Sequence, residues 1–468
     1  MKERISYLLS KVPFHIYLFV LVAFVFTFIL SKVTLFGDDV SILKRYESNF
    51  DLSSMLSVQV HYYKAWSSRF LVNLLWFIFL KYQFLWLIFF FISVFCLFEA
   101  IYILFIKGNK YENQISIFMV SLFCSFDFRL FINAGWIATL ATYLTPVAFG
   151  IVALIPIKKA FNSEKYTWYT ILFFSFCLIY GGNLEQMMLV LLGVYFLSVI
   201  FLIIQKKITI TFLFFSILSL ANCIFCLTCP GNYNRKLAEL LKFFPTFDMM
   251  TTLDKIELGF STTLKFLIAD NFNFLLIVFC FVLTICLFEK YKEIFYRVLS
   301  IIPLSIVLIF GPFKSFFSYI FHRLPNVMQD IPFYGLVNPE TFGSGALSFQ
   351  WFIFGAFIIS VLLCIFLLVN SFKSLIIIYA LLSLGILSRV CIGFSPTIYA
   401  SSIRTFSVMM FCFFISLIYI VSNHVTIFGK NYMKESIITS KIFSIICYTF
   451  IVWGVLNFFV YAITYPNL

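Results

Sequence analysis

The chain is divided into about thirteen apolar runs, each long enough to cross a lipid bilayer. Inside a bilayer no water satisfies the backbone, so each run is predicted to be a helix that satisfies its own hydrogen bonds. Few hydrophilic stretches separate the runs, which leaves no room for a separate soluble module. We therefore predict an all-α, polytopic transmembrane bundle of about 11–13 spans, forming a single integral membrane domain over residues 1–468.

Composition and charge agree with this class of protein. Hydrophobic residues make up 62% of the chain and charged residues 11%, with a mean hydropathy of +1.03, whereas soluble domains usually carry about 25% charged residues. A net charge of +13 would suggest a nucleic-acid ligand in a soluble protein. In a membrane protein, basic residues that collect in short cytoplasmic loops explain it better. We expect membrane lipids, and no nucleic acid, among the partners.

The positions of the basic residues predict the orientation of the chain. Short loops with Lys158 and Lys159, and with Lys206 and Lys207, are assigned to the cytoplasm, while the short turn at 135–137 carries no basic residue and is assigned to the outer face. The N-terminus is then cytoplasmic, and the segment after the first span lies on the outer face of the membrane. The longer outer segments are predicted at 36–70, with one or two surface helices, at 229–270 and at 312–348.

The cysteines do not predict a metal centre. Cys223, Cys226 and Cys229 have a spacing known from iron–sulfur proteins, but they share one face of a predicted membrane helix and no fourth cysteine lies nearby. A thiol in such a helix behaves as a small apolar group. We expect no cofactor and no bound metal, and the sequence leaves open a divalent ion on Asp38 and Asp39.

Five polar motifs share the predicted outer face although they are scattered along the sequence. Charged groups at the ends of membrane helices are costly unless they are paired or hydrated, so they indicate a functional cavity. Arginine suits phosphate oxygens, and a carboxylate can serve as a general base. The motifs are Gly37-Asp38-Asp39, Trp66-Ser67-Ser68-Arg69, Asn183-Leu184-Glu185-Gln186, Pro230-Gly231-Asn232-Tyr233-Asn234-Arg235, and Ser395-Pro396-Thr397 with Arg404.

Each motif also has a purely structural interpretation. Asp38 and Asp39 suit the first turn of a surface helix, and Glu185 could bond the N-terminus of its own helix. Arg69 and Arg235 could anchor the protein at lipid headgroups. Arg389, inside a predicted span, must pair with an anion or line a cavity, and the sequence does not choose between these.

Several reaction classes lack their signatures. The sequence contains no H-E-x-x-H, G-x-S-x-G or P-loop spacing, so zinc proteolysis, serine hydrolysis and ATP hydrolysis are not supported. Of the four histidines, only His61 and His322 fall on the predicted outer face. A carboxylate is therefore the best candidate for a general base there.

Taken in order, the five motifs resemble those of the GT-C class of polytopic glycosyltransferases. Within that class the set is similar to bacterial membrane glycosyltransferases and to the serotype-converting glucosyltransferases (Gtr) that modify O-antigen. The resemblance covers most of the chain, and no single motif is diagnostic. Ser68 departs from the pattern, because relatives carry glycine at that position of a Trp-x-Gly-Arg form.

The resemblance implies a GT-C-like fold and an inverting hexosyltransferase in a bacterial inner or plasma membrane, with its active site on the outer face. The donor would be a polyprenyl-phosphate sugar, most often undecaprenyl-phosphate glucose, and the acceptor a lipid-linked glycan or surface polysaccharide. Asp38 or Asp39 would be the catalytic base. The implied binding residues are Arg69, Arg235 and Arg404 for the donor phosphate, and Glu185, Gln186, Trp66, Tyr233 and Asn232 for the sugar and acceptor.

Two other functions remain as alternatives. An O-antigen polymerase or ligase also works on lipid-linked substrates outside the membrane, but it typically has its largest outer loop late in the chain. A transporter or flippase commonly has two related halves and helices broken near mid-membrane. The paired acids after the first span, and the lack of a convincing internal repeat, favour the glycosyltransferase.

Overall fold

A computed structural model describes residues 12–46, 51–132, 134–270, 273–321, 327–328, 330–332, 334–337, 345–424 and 441–464. Every regular element in these ranges is helical, as predicted. The helices are α1 (Phe14–Leu30), α2 (Asp38–Tyr46), α3 (Leu52–Ala65), α4 (Phe70–Lys81), α5 (Gln83–Ile101), α6 (Glu112–Cys124), α7 (Trp136–Phe161), α8 (Trp168–Gly181), α9 (Glu185–Ile204), α10 (Ile210–Leu227), α11 (Pro230–Phe243), α12 (Thr252–Ala269), α13 (Phe274–Lys290), α14 (Ile294–Phe310), α15 (Lys314–Ile320), α16 (Gly345–Leu368), α17 (Phe372–Val390), α18 (Ser407–His424) and α19 (Lys441–Thr464).

The protein is a multi-pass membrane protein. In the described ranges eight helices are long and apolar enough to cross a bilayer, and the number rises to 10 if the bent pairs α12–α13 and α14–α15 each count as one span. The sequence predicts 11–13 spans, and in the same ranges three shorter apolar helices, α1, α4 and α8, are not included in the 8–10. Of these, α1 has 17 residues and α8 has 14. At 1.5 Å per residue such helices are about 21–26 Å long, shorter than the roughly 30 Å hydrocarbon core.

The helices form two compact units. The first contains residues Met1–Arg235 and Ile438–Leu468, and the second contains Lys236–Ile437. In the first unit α1 packs on α5 and α6, α19 packs on α6, and α7 packs on α5 and α8. In the second unit α17 packs on α18, and α13 packs on α14.

The centre of the first unit is α7, which is almost entirely buried. Small and hydroxyl-bearing residues let its neighbours approach closely, as in other membrane bundles. The hydroxyl oxygens of Thr145 and the buried Tyr180 are hydrogen-bonded at 2.5 Å. A Cβ atom on Gly181 would lie 2.6 Å from the Cα of Gly150 and 3.0 Å from the Pro146 carbonyl oxygen. The contact between α7 and α8 therefore requires a glycine at position 181.

The segment predicted as the first outer loop, 36–70, contains two helices, α2 and α3, which agrees with the expected one or two. Asp51 begins α3 as its N-cap, and its carboxylate accepts the Ser54 N–H at 3.1 Å. A short connection at 66–69 leads from α3 into α4. This loop therefore delivers its motifs on defined helix ends.

Gly181→Ala should destabilise the bundle, because the added methyl group meets backbone atoms that cannot move aside independently. Overpacking of this kind costs about 1–3 kcal/mol, so the thermal unfolding temperature in detergent should fall by several degrees. Gly355→Ala is the matched control, since a Cβ atom there meets nothing within 4 Å. Equal unfolding temperatures for the two variants would contradict the proposed packing role of Gly181.

Candidate functional site

The Gly37-Asp38-Asp39 segment is a tight turn that docks on the residues just before α7. The Asp38 N–H donates to the Ala134 carbonyl oxygen at 2.8 Å. Gly37 has φ +59°, and a Cβ atom on it would lie 2.6 Å from the same carbonyl oxygen. Both the conformation and the close approach require glycine. The backbone of the two acids is therefore fixed against the start of α7.

The Asp39 carboxylate caps α7. Its Oδ2 accepts the N–H of Ile137 at 2.9 Å, and its Oδ1 accepts the N–H of Ala138 at 2.8 Å. Oδ1 also accepts the indole N–H of Trp76 on α4 at 2.9 Å. At a helix N-terminus the first N–H groups lack partners and the helix dipole has its positive end. A carboxylate there is stabilised both by hydrogen bonds and by the dipole. Asp39 thus holds three helices together, α2, α4 and α7. We call these three hydrogen bonds the Asp39 clamp.

The carboxylate of Asp39 is completely buried, with 0% exposure. Burial raises its pKa to about 6, and the neighbouring charge of Asp38 acts in the same direction, while the three N–H donors act to lower it. All three hydrogen bonds come from N–H donors, which favours the ionised carboxylate. A Cβ atom on Gly135, which has φ +138°, would lie 2.8 Å from Oδ2, so glycine is also required on this side.

The side chain of Asp38 is exposed, in contrast to that of its neighbour. It lies in the first turn of α2, where the helix dipole favours a carboxylate. Both acids were candidates for the catalytic base, and the structure gives them different surroundings. The oxygens of Asp39 are occupied by N–H donors, whereas the Asp38 carboxylate can be reached by a ligand.

A second group of polar side chains forms around Arg69, at the start of α4. Its Nε donates to Glu185 Oε2 at 2.7 Å, and both side chains are about one-quarter exposed or less. Ser68 Oγ donates to the other oxygen of Glu185 at 3.3 Å. The Arg69 guanidinium lies over the ring of Tyr143, 5.6 Å from its centroid. The arginine and glutamate that the sequence assigned to different substrates are therefore directly paired.

Asn183 fixes the turn that carries Arg69. Its side-chain oxygen accepts the N–H of Val72 at 3.0 Å, and its amide nitrogen donates to the Ser68 carbonyl oxygen at 3.2 Å. The second motif is thus held by the third. This explains why the asparagine and Glu185 occur two residues apart, since one fixes the backbone while the other pairs with the side chain.

The fourth motif packs on the same turn from its other side. A Cβ atom on Gly231 would lie 2.4 Å from the Trp66 backbone nitrogen and 2.7 Å from the Tyr63 carbonyl oxygen. The Asn232 amide nitrogen donates to the Cys226 carbonyl oxygen at 2.9 Å, where it holds the end of α10. Gly231 is required because the two backbones touch. The second, third and fourth motifs therefore form one assembly, the Arg69 cluster, made of residues 66–69, 183–186 and 230–235.

Two helices connect the Asp39 clamp to the Arg69 cluster. On α4, Trp76 contacts Asp39 and lies two turns after Arg69; on α7, Ala138 contacts Asp39 and Tyr143 follows just over one turn later. At 1.5 Å per residue the backbone positions of Arg69 and Trp76 are about 10 Å apart along the α4 axis. The acids and the arginine therefore share one rigid frame inside the first unit.

The remaining predicted residues of the first unit have mixed surroundings. Trp66 and Tyr233 expose 42% and 66% of their surfaces, which leaves both rings accessible. Gln186 is buried. Arg235 is half-buried, and its charge acts on Glu185. Arg235 thus joins the electrostatic environment of the Arg69 cluster.

The fifth motif lies in the second unit and has an internal hydrogen-bond network. Thr397 Oγ1 bonds to Ser395 Oγ at 2.8 Å and accepts the Ser401 hydroxyl at 3.0 Å. The Nε of Arg404 donates to the Ser401 carbonyl oxygen at 3.1 Å. Arg404 is half-buried and lies in a short 3₁₀ helix, Ile403–Phe406.

The described residues offer no obvious metal ligand set. In those ranges no group of three or more His, Cys, Asp and Glu side chains is close enough to hold an ion. Cys223 and Cys226 pack with Met188 in an apolar cluster, and Cys229 Sγ contacts the Tyr63 carbonyl oxygen at 3.0 Å. Both oxygens of Asp39 accept N–H donors, and a divalent ion on Asp38 and Asp39 stays an untested alternative of the sequence analysis.

Sequence reasoning missed the partners that organise the site: Trp76, Tyr143 and Ser68 were not assigned a role. A signal for Trp76 was present, because it lies seven residues after Arg69 and so on the same face of α4. Nothing in the sequence connects Tyr143 with Arg69. Comparison with protein-family models, with curated proteins and with solved structures finds no match to this chain.

Asp39→Asn should destabilise the protein, whereas Asp38→Asn should not. An amide in place of the Asp39 carboxylate presents an NH₂ group to at least one N–H donor, and the loss of a buried charged hydrogen bond costs about 2–3 kcal/mol. The exposed Asp38 should change the stability by less than about 0.5 kcal/mol. Thermal unfolding in detergent measures both effects. Equal stability of the two variants would contradict the clamp.

Arg69 and Glu185 should be energetically coupled. We expect Arg69→Gln and Glu185→Gln each to lower stability, and the double variant to lose less than the two single losses combined. The coupling for contacting residues is about 0.5–3 kcal/mol. A double-mutant cycle in detergent measures it, and Lys236→Gln combined with Glu185→Gln is an additive control, because Lys236 pairs with Asp248 instead. Additivity for Arg69 and Glu185 would contradict the pair.

Proposed function

We propose that the protein is an inverting glycosyltransferase, which moves a sugar from a polyprenyl-phosphate donor to a lipid-linked or surface glycan on the outer face of a bacterial membrane. One observation carries the proposal: the exposed carboxylate of Asp38 and the guanidinium of Arg69 belong to one frame, because the contacts of the neighbouring Asp39 and those of Arg69 both involve α4 and α7. A displacement at an anomeric carbon needs a base for the attacking hydroxyl and a cation for the leaving phosphate, both held in position.

Asp38 is the proposed base. Its carboxylate accepts the proton of an acceptor hydroxyl as that oxygen attacks the anomeric carbon. The bond from this carbon to the phosphate oxygen breaks, and the electron pair leaves with the polyprenyl phosphate. Attack from the face opposite the leaving group inverts the configuration. Exposure of Asp38 supports this role, and the buried Asp39 serves as a positioning residue that fixes its backbone.

The Arg69 cluster is proposed to hold the donor phosphate. Arg69 uses Nε for Glu185 and lies over the Tyr143 ring, and its terminal nitrogens are the groups proposed to donate to the phosphate. Arg235 adds positive charge beside the same carboxylate, so a phosphate would meet two arginines. Charge that builds on the leaving phosphate is stabilised by donors already in position. Arg404 belongs to this set by resemblance alone.

The lipid tail of the donor has an apolar path on α10. Ile217, Leu220, Ile224 and Leu227 occur at helical spacing and expose 49–74% of their surfaces. The stripe ends beside Cys226, whose Sγ lies 3.3 Å from Ser68 Oγ in the Arg69 cluster. A polyprenyl chain along this stripe would bring its phosphate to the arginine, and Trp66 and Tyr233 are exposed nearby to stack on a sugar.

Asp38→Asn should abolish transfer while leaving the protein folded. The assay offers radiolabelled undecaprenyl-phosphate glucose and a crude lipid-linked glycan to purified protein in liposomes, and a loss of at least about 100-fold is expected for a general base. Asp51→Asn is the matched control, because this exposed acid of the same loop caps α3 and asparagine is an equally good N-cap. Transfer that persists in Asp38→Asn would contradict the assignment of the base.

A further inference from the structure

Arg389 in the second unit is a buried cation without a compensating anion among the described residues. It lies in α17, inside a membrane span, and exposes only 2% of its surface. Its Nε and Nη1 atoms are buried and have no hydrogen-bond partner in the described ranges. Arginine cannot lose its proton in a protein. A buried charge of this kind in a membrane span is costly, so it indicates a site where an anion could bind.

The surroundings hold the guanidinium in a defined orientation. Its carbon lies 4.2 Å from the centroid of the Phe406 ring, and that ring stacks on Phe266 of α12 at 3.8 Å. A ring beneath the guanidinium stabilises the charge through its face. The N–H groups lie in the guanidinium plane and are not satisfied by this contact. Nε and Nη1 thus remain without an acceptor among the described residues.

A second unsatisfied group directly follows Phe406, the residue that contacts Arg389. Gly385, one turn before Arg389, lets α17 approach α18 so closely that a Cβ atom would meet Cys412 Cβ at 2.6 Å. At the start of α18, Ser407 follows Phe406 directly, and its hydroxyl is buried without a partner in the described residues. The junction of α17 and α18 thus combines a fixed guanidinium edge with a hydroxyl.

We propose that this junction, formed by Arg389 and Ser407, binds a phosphate group. Water could accept the N–H groups but would leave the charge unbalanced in a low-dielectric interior. A phosphate neutralises the charge, and its oxygens match the planar fork of arginine and also accept a hydroxyl. The phosphate comes from a lipid headgroup or from free phosphate. The proposal rests on the charge balance of Arg389 and stands independently of the proposed glycosyltransferase activity.

The test uses the purified, delipidated full chain in a maltoside detergent, which contains no phosphate. Thermal unfolding is followed while either phosphatidic acid or inorganic phosphate is titrated at constant ionic strength, with chloride as the reference anion. We expect a phosphate-dependent rise in the unfolding temperature of the wild type. A rise with phosphatidic acid alone assigns a lipid headgroup, and a rise with inorganic phosphate as well assigns free phosphate.

Arg389→Gln should bind the phosphate probe at least about tenfold more weakly, because a charged hydrogen bond is lost. Arg297→Gln is the matched control: this arginine also stacks on a ring, Phe288, and its Nε donates to the Tyr291 carbonyl oxygen. It should retain the full shift.

Arg389→Met provides a second variant in case the glutamine does not fold. The apolar methionine side chain removes the unbalanced charge, so this variant should unfold at a higher temperature than the phosphate-free wild type. Its unfolding temperature should not change when phosphate is added. A wild type that no phosphate probe stabilises would overturn the proposal, and so would either Arg389 variant that binds phosphate as tightly as the wild type.

Discussion

The first unit depends on one buried carboxylate at the start of a buried helix. Removing Asp39 from water is unfavourable, and three N–H donors offset that loss. Two of these donors are orphan groups at the start of α7, so the same contact removes two unsatisfied groups from the interior. Such a contact tolerates little variation, because a buried charge without its donors is strongly destabilising. Gly37 and Gly135 are glycines for this reason.

The clamp gives the neighbouring acid its position. Adjacent residues on a helix start point in different directions, so burial of Asp39 leaves Asp38 exposed. A flexible loop would allow the exposed carboxylate to sample many positions, whereas the backbone bond from Asp38 to Ala134 removes that freedom. The Arg69 cluster is built in the same way, since Asn183 and Gly231 hold the backbone while Arg69 and Glu185 pair. Within these motifs some residues fix the backbone, and others present the side chains that we propose contact the substrate.

The sequence predicts the fold class well, because long apolar runs have few alternatives in a bilayer. The number of spans depends on how short apolar helices such as α1 and α8 are counted. The motifs were found as separate signals, and the structure joins three of them into the Arg69 cluster. Their pairings could not be predicted, because the Arg69–Glu185 contact joins residues 116 positions apart. The difference between Asp38 and Asp39 was also hidden, since it arises from packing against α7.

The surroundings of Arg389, in the second unit, also could not be predicted from the sequence. The sequence required it to pair or to line a cavity, and the structure provides a ring beneath the guanidinium and no carboxylate partner among the described residues. The choice between the two interpretations thus depends on tertiary packing, which brings Phe406 and Ser407 to α17. A single charged residue in an apolar run was the visible signal.

We propose that the first unit supports a displacement at an anomeric carbon. The most direct measurement is the anomeric configuration of the glycan formed when purified protein in liposomes receives ¹³C-labelled undecaprenyl-phosphate glucose and a lipid-linked acceptor, determined by NMR. We predict a new glycosidic bond whose configuration is inverted relative to that of the donor. A product with retained configuration, or no transfer by folded protein from any polyprenyl-phosphate sugar, would contradict it.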